Sequence, residues 1–317
     1  MQKLKQFFHR SLAVLVGASF SFGTISHALA ADFRIGYQKS NVALIKAKEN
    51  IEKRLGEQGV EVKWTEFPGG PQLLEGLNVG SVDFGVTGET PPVFAQAAKA
   101  DLLYVANDLT APTSEAIIIP KDSPIQSVAE LKGKKVAYNK GSNVHYLLVR
   151  ALEEAGLKYD DIESVYLPPA DARAAFERGS VDAWVIWDPY FAAAEQQLGA
   201  RILRDGTNLV DNHRFYLSTR DYANKNPQVI GIVVEEIRNA GEWTKQHLNE
   251  VAAEFAPVLG LPKEIVYTTT ARHTYGTNFI SPEVVEKQQK IADTFTELKL
   301  IPEQLNIKNT VWTPSNP

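Results

Sequence analysis

Residues 172–189 read ARAAFERGSVDAWVIWDP, and residues 72–91 read QLLEGLNVGSVDFGVTGETP. Each stretch runs from a helical pattern through Gly-Ser-Val-Asp into a short apolar run. Each then ends on a capping residue followed by proline. Gly80 and Gly179 are placed to take the left-handed conformation that ends a helix. Phe84-Gly85-Val86 and Ala183-Trp184-Val185-Ile186-Trp187 read as strands. Thr90 and Asp188 read as N-caps, with Pro91 and Pro189 at the first helical position.

The correspondence extends upstream. Phe33-Arg34-Ile35-Gly36-Tyr37 and Lys135-Val136-Ala137-Tyr138 read as strands, leading into Gln38-Lys39-Ser40-Asn41-Val42 and Asn139-Lys140-Gly141-Ser142-Asn143-Val144. Val144, Leu147, Leu148, Ala151, Leu152 and Ala155 then recur at helical spacing before Gly156. Tyr37 precedes Tyr138 by 101 residues and Ser81 precedes Ser180 by 99. Similar units in one continuous sheet would explain one match. Two matches at nearly equal offset, in the same strand–helix order, favour a repeat the size of a small lobe over one βαβ unit of about 30 residues. The sequence therefore predicts an α/β protein of two like lobes with a hinged cleft between them. Residues 32–115 plus 215–317 form the first lobe and 116–214 the second. Glu115–Pro120 and Phe215–Thr219 read as further strands, and 229–259 and 282–298 as helical.

Composition narrows the function. A chain of 317 residues, 44% hydrophobic and 22% charged, suits one large or two ordinary domains. The absence of Cys excludes thiol catalysis, Cys-ligated zinc, iron–sulfur clusters and disulfides. A net charge of -5 argues against nucleic-acid binding. Residues 1–10 carry Lys3, Lys5 and Arg10 without an acid, residues 11–25 are apolar or small, and Ala28-Leu29-Ala30 fits a cleavage site. This order predicts a signal peptide over 1–30 and a periplasmic location. The apolar run is shorter than the about 20 residues that cross a bilayer.

Ligands of open α/β sheets bind beyond the carboxyl ends of the strands. The junctions there, Gln38–Asn41, Thr87–Thr90, Asn139–Asn143 and Trp187-Asp188, are rich in Ser, Thr, Asn and Gly. Helix starts present unpaired N–H groups and about half a positive charge, so several facing one cleft would hold an anion without lysine. Gly88 and Gly141 would let a ligand approach the backbone. Plain capping explains any single junction; the repeat puts equivalent junctions on both lobes. Trp184 and Trp187 face opposite ways in one strand. Trp187 borders the helix start and is the candidate cover for an apolar tail, with Tyr37 and Trp64 as weaker ones. The histidines show no metal-ligand spacing. His145 reads as a surface residue near a helix start, Asp182 as a local turn partner, and Arg173 and Arg178 as surface residues, Arg173 near the cleft. No nucleophile elbow, phosphate loop or acid–base pair is present.

Four stretches carry a family resemblance: RIGYQKSNVALIKA at 34–47, FPGGPQLLEGLNVGSVDFGVTGETPPVFAQAA at 67–98, VAYNKGSNVHYLLVRALEEAGL at 136–157 and LPPADARAAFERGSVDAWVIWDPY at 167–190. With them the chain resembles the periplasmic aliphatic sulfonate-binding proteins of ABC importers, within a wider group of taurine and nitrate binders. The resemblance covers essentially everything after residue 30. It implies a type II solute-binding fold, a small anionic ligand, no catalysis, no cofactor, a monomer, and an inner-membrane permease with its ATPase as partner. By position it implies a ligand set of Gln38, Thr87, Gly88, Glu89, Gly141, Ser142, Asn143, Trp187 and Asp188, the head group held by main-chain N–H groups and hydroxyl or amide side chains. Glu89 and Asp188 would act as caps, through backbone N–H, or at a positive or hydroxyl end of the ligand. The competing readings are a binder of taurine, nitrate or another organic anion, an exported sensor or adhesin, and an enzyme on the same scaffold. Sulfinate desulfinases, which resemble this scaffold, use a nucleophilic Cys that this chain lacks.

Overall fold

The computed structural model describes residues 32–39 and 42–313. The expected signal peptide and the Ser40-Asn41 part of the first junction lie outside them. The chain begins with β1 (Phe33–Tyr37), α1 (Val42–Lys48), α2 (Asn50–Gly56), β2 (Val62–Glu66), α3 (Gly70–Asn78), β3 (Phe84–Gly88), α4 (Pro91–Ala97) and β4 (Leu102–Asn107). It continues with β5 (Glu115–Ile119), β6 (Lys135–Tyr138), α5 (Asn143–Glu154), β7 (Glu163–Tyr166), α6 (Pro169–Glu177), β8 (Ala183–Trp187), α7 (Tyr190–Leu198) and β9 (Arg201–Asp205). Last come β10 (Arg214–Thr219), α8 (Arg220–Lys225), α9 (Pro227–Gln246), α10 (Leu248–Leu259), α11 (Lys263–Arg272), β11 (Asn278–Phe279) and α12 (Pro282–Glu297). None of these helices is long and apolar enough to cross a membrane.

The strands form two sheets, β11-β4-β10-β3-β1-β2 and β7-β6-β8-β5-β9. Apart from β11 the two orders correspond strand for strand. β1 pairs in parallel with β2 and β3, as β6 does with β7 and β8. β10 lies antiparallel between β3 and β4, as β5 does between β8 and β9. The repeat in the sequence is thus a repeat of topology.

The Gly-Ser-Val-Asp turn shows why it recurs. Gly80 and Gly179 adopt φ of 71° and 67°, where a Cβ would be strained, and Val82 and Val181 enter the core. The Asp83 main chain donates to Arg34 O at 2.8 Å, and its Oδ2 accepts the Arg34 N–H at 2.9 Å. Asp182 makes the same pair of bonds with Lys135, both at 2.8 Å. Asp182 is therefore not a local turn partner. It joins its own turn to the strand beside it, and so starts β8 in register with β6.

The chain crosses from the first sheet to the second between Asn107 and Glu115, and returns between Asp205 and Arg214. The crossings run side by side, tied by Ala111 N to Asp211 O at 3.0 Å and Asp108 N to Arg214 O at 2.9 Å. The largest apolar cluster draws on both halves, with Tyr104, Phe215 and Phe295 beside Val144 and Leu147. This packing overturns the surface reading of His145. The residue is fully buried, its ring among those of Phe94, Tyr138, Tyr159 and Phe295. Its own helix has an exposed face, but α4 and α12, distant in sequence, cover the start of it. Burial, then the Lys140 charge, pushes its pKa down to about 3. A neutral ring therefore accepts the Gly141 N–H at Nδ1 (3.2 Å), and Nε2 faces the Tyr159 hydroxyl at 3.0 Å.

A candidate ligand-binding cavity

A cavity of about 620 Å³, counting its open mouth, lies between the two sheets. The carboxyl ends of β1, β3 and β8 converge on it, together with the start of α5, as expected for strands of this type. Six sequence-predicted residues line it: Gln38, Thr87, Gly88, Asn143, Trp187 and Asp188. The Gln38 amide is fixed by donating to Val86 O at 3.0 Å, and the Thr87 hydroxyl donates to Gly88 O at 2.9 Å. A Cβ on Gly88 would sit 2.8 Å from three atoms of the Asn143 side chain. The glycine is thus required by the meeting of the halves, rather than by room for a ligand. The Asn143 amide donates to Glu115 and, at 3.2 Å, to Asn212 Oδ1. The Asn143 side chain is thereby immobilised with the helix start aimed at the cavity, where its first N–H groups lack intrahelical partners.

The two tryptophans divide as their spacing required. Trp184 is wholly buried against Phe176, and Trp187 is partly exposed on the cavity wall. Tyr37 and Trp64 pack on each other at 5.8 Å, away from the cavity. Arg173 also lies away from it, bonded to Glu177 and Gln197. The capping expectations need two corrections. α7 begins at Tyr190, so Pro189 is its N-cap and follows Asp188 through a cis bond. The Asp188 carboxylate still serves the helix, accepting the Ala192 N–H at 3.0 Å. Thr90 occupies the N-cap of α4 but makes no capping bond.

Three residues of the implied ligand set stand elsewhere. Gly141 has a φ of 77° and its N–H is engaged by His145. The buried Ser142 hydroxyl donates to Asn139 O at 2.6 Å. The Glu89 side chain points behind β3, its Oε2 accepting the His213 N–H at 2.9 Å. Burial pushes Glu89 up to about 8 against that hydrogen bond. Burial, and then Glu89, raises Glu115 well above the usual carboxylate range. Burial thus favours the neutral form of both acids, which weakens the repulsion they would exert on an anion in the cavity.

The remaining walls had no clear signal in the sequence. Ser114 and Asn212 come from the crossings, Arg214 from the start of β10, and Thr269 and His273 from α11 and its end. Arg214 reaches Asp108 Oδ2 at 3.2 Å and His273 Nδ1 at 3.4 Å. Burial would raise Asp108, but His273 and Arg214 outweigh it and hold the carboxyl below its ordinary value. Burial, with Arg214, pushes His273 down to about 4. The cationic side chain on this wall is therefore neutralised by an ionised aspartate. Across the cavity, burial pushes Asp188 up to about 7, opposed by Arg272. Arg272, on α11, lies 3.5 Å from Asp188 Oδ1, 2.5 Å from Glu195 Oε2 and over the Phe191 ring. Gln196 adds a bond to Thr268 at 2.9 Å. These contacts join α11 to α7 along the edge of the cavity.

Comparison with known proteins fits this geometry. The profile described as NMT1/THI5 like matches residues 55–250. The aliphatic sulfonates-binding protein of Escherichia coli (strain K12) is 45% identical over 309 residues, 96% of each chain. The crystal structure of the periplasmic aliphatic sulphonate binding protein SsuA from Escherichia coli superposes with a TM-score of 0.82, covering 90% of this chain and 93% of that one. The alkanesulfonate-binding protein SsuA from Xanthomonas axonopodis pv. citri, bound to MOPS, is 41% identical with a TM-score of 0.86, covering 90% and 99%. Both have the periplasmic binding protein fold of two sheets found here. By sequence and by fold, the chain belongs to the NMT1/THI5-like family, on the branch of the aliphatic sulfonate-binding proteins.

Proposed function

We propose that this protein is the periplasmic solute-binding component of an ABC importer, capturing aliphatic sulfonates and delivering them unchanged to an inner-membrane permease. The observation that carries the reading is the cavity itself, where strand ends and a helix start from both sheets present N–H, hydroxyl and amide groups. A sulfonate stays ionised at neutral pH, so such donors must replace its water. In this reading Gln38, Gly88 and the start of α5 at Asn143 hold the head group, the Thr87 hydroxyl turns from Gly88 O to join them, and Trp187 covers the alkyl tail. Asp188 caps α7 rather than meeting the sulfonate. Residues 32–115 with 215–317, and 116–214, act as lobes hinged at the crossings, and residues 1–30 are removed on export.

Titration calorimetry of the mature protein with pentanesulfonate, taurine, sulfate and nitrate tests this. Pentanesulfonate should bind tightest, with a negative heat-capacity change from tail burial. Preference for nitrate or sulfate, or no heat from any sulfonate, would overturn it. The ligand should be recovered intact after incubation; a released sulfite would point to an enzyme.

A further inference from the structure

A second groove, about 1490 Å³ counting its open side, lies on the far side of the crossings, between α5 and α12. Charges on its walls balance: Arg150, Lys287 and Lys290 stand against Asp211, Asp293 and Glu297. Its floor is different. Glu89, His213 and Gln288, each over nine-tenths buried, line it, and Glu89 Oε1, His213 Nε2 and Gln288 Oε1 are buried without a hydrogen-bond partner among the described residues. The other atoms of these groups are committed in a way that fixes what remains. His213 Nδ1 lies 2.9 Å from Asp108 O, a carbonyl that can only accept, so Nδ1 carries a hydrogen, and in the tautomer this contact selects Nε2 is an acceptor. The Gln288 NH₂ donates to Glu89 O at 2.6 Å and to Tyr104 at 2.9 Å, leaving its Oε1 as an acceptor. Glu89 Oε2 already accepts the His213 N–H, leaving Oε1 as the site of the proton or of a second donor.

We propose that this floor is a binding site for a primary ammonium group, whose three N–H donors match the three acceptors. It is separate from the sulfonate cavity and does not depend on what fills that cavity. A metal fits less well, since among the described residues no group of three or more His, Asp and Glu side chains is arranged to hold one. The ammonium must displace the Glu89 proton, so its binding is coupled to pH. The groups facing Glu89 are Tyr146 of α5, Glu115 of β5, Asp211 of the second crossing and Lys287 of α12. Lys287 is held by Asp211 and Glu283.

The test uses full-length mature protein with ¹⁵N-labelled histidine and methylammonium chloride as probe. Sodium chloride and tetramethylammonium chloride, which lack N–H donors, are matched in ionic strength. The His213 Nε2 resonance should shift saturably with methylammonium only, and the apparent affinity should rise up to about tenfold per pH unit between pH 6 and 7.5. Gln288→Leu should weaken binding at least tenfold, and Glu89→Gln, which puts an amide donor where the carboxylate Oε1 stood, should abolish saturable binding at every pH. Should Gln288→Leu fail to fold, the wild-type salt comparison and Glu89→Gln decide alone. A shift shared by sodium or tetramethylammonium, or no saturable shift, would overturn the site and leave water as the occupant of the floor.

Discussion

Replacing Glu89 by Gln should make the protein resist alkaline loss of stability. Gln reproduces the neutral carboxyl: its oxygen accepts the His213 N–H and its NH₂ stands where the proton would be. Because burial holds Glu89 at about 8, the folded protein keeps a proton that the unfolded chain, titrating near the usual carboxylate value, has released. Stability conferred by this group is therefore present in full at low pH and falls as pH rises through the folded pKa. Between pH 6.5 and 8.5 the linkage amounts to about 2 kcal/mol for Glu89 alone. Asp188 and Glu115 add to the slope in the same direction. His145 and His273, pushed down to about 3 and 4, act oppositely but only below about pH 6.5, where the unfolded chain takes up protons first. Urea unfolding at the two pH values reads the effect. At a slope of about 3 kcal/mol per molar urea, the midpoint of the wild type should fall by about 0.7 M more than that of Glu89→Gln. Equal losses in the two proteins would refute a buried neutral carboxyl at this position.

Three further outcomes follow from particular contacts. Arg272→Met leaves the buried Asp188 without its cation; sulfonate affinity should drop by about 1–2 kcal/mol, read by calorimetry, and small-angle scattering should show a more open unliganded form. Gly88→Ala places a Cβ 2.8 Å from the Asn143 side chain, so it should cost about 1–3 kcal/mol in thermal stability and weaken ligand binding with it. Trp187→Ala should weaken hexanesulfonate by about 1–2 kcal/mol while changing methanesulfonate little, whereas Trp184→Ala should cost about 3–5 kcal/mol of stability; a Trp187 effect independent of chain length would assign it to the core.

What could be read from the sequence was what local chemistry repeats. The Gly-Ser-Val-Asp turns, the strands they feed and the helix α5 are set by glycine conformation, by an aspartate pairing with the next strand and by apolar spacing, all visible within a few residues. Topological equivalence followed from the equal offsets. His145 was misread because its burial comes from α4 and α12, and no pattern within α5 records a neighbour about 150 residues away. α11 was missed because its buried side includes Thr269 and Thr270 beside Ile265 and Val266, which blurs the apolar period. With α11 went the Thr269, His273 and Arg272 contributions to the cavity and its edge. Arg214 ended a polar stretch, and nothing local distinguished it from a solvated arginine until Asp108, 106 residues earlier, came beside it.

The most direct measurement is a crystal structure of the mature protein grown with hexanesulfonate. The account predicts sulfonate oxygens meeting N–H, hydroxyl and amide donors of Gln38, Thr87, Gly88 and the start of α5, with the tail along Trp187. A sulfonate seated outside that cavity, or held chiefly by arginine and lysine side chains, would contradict it.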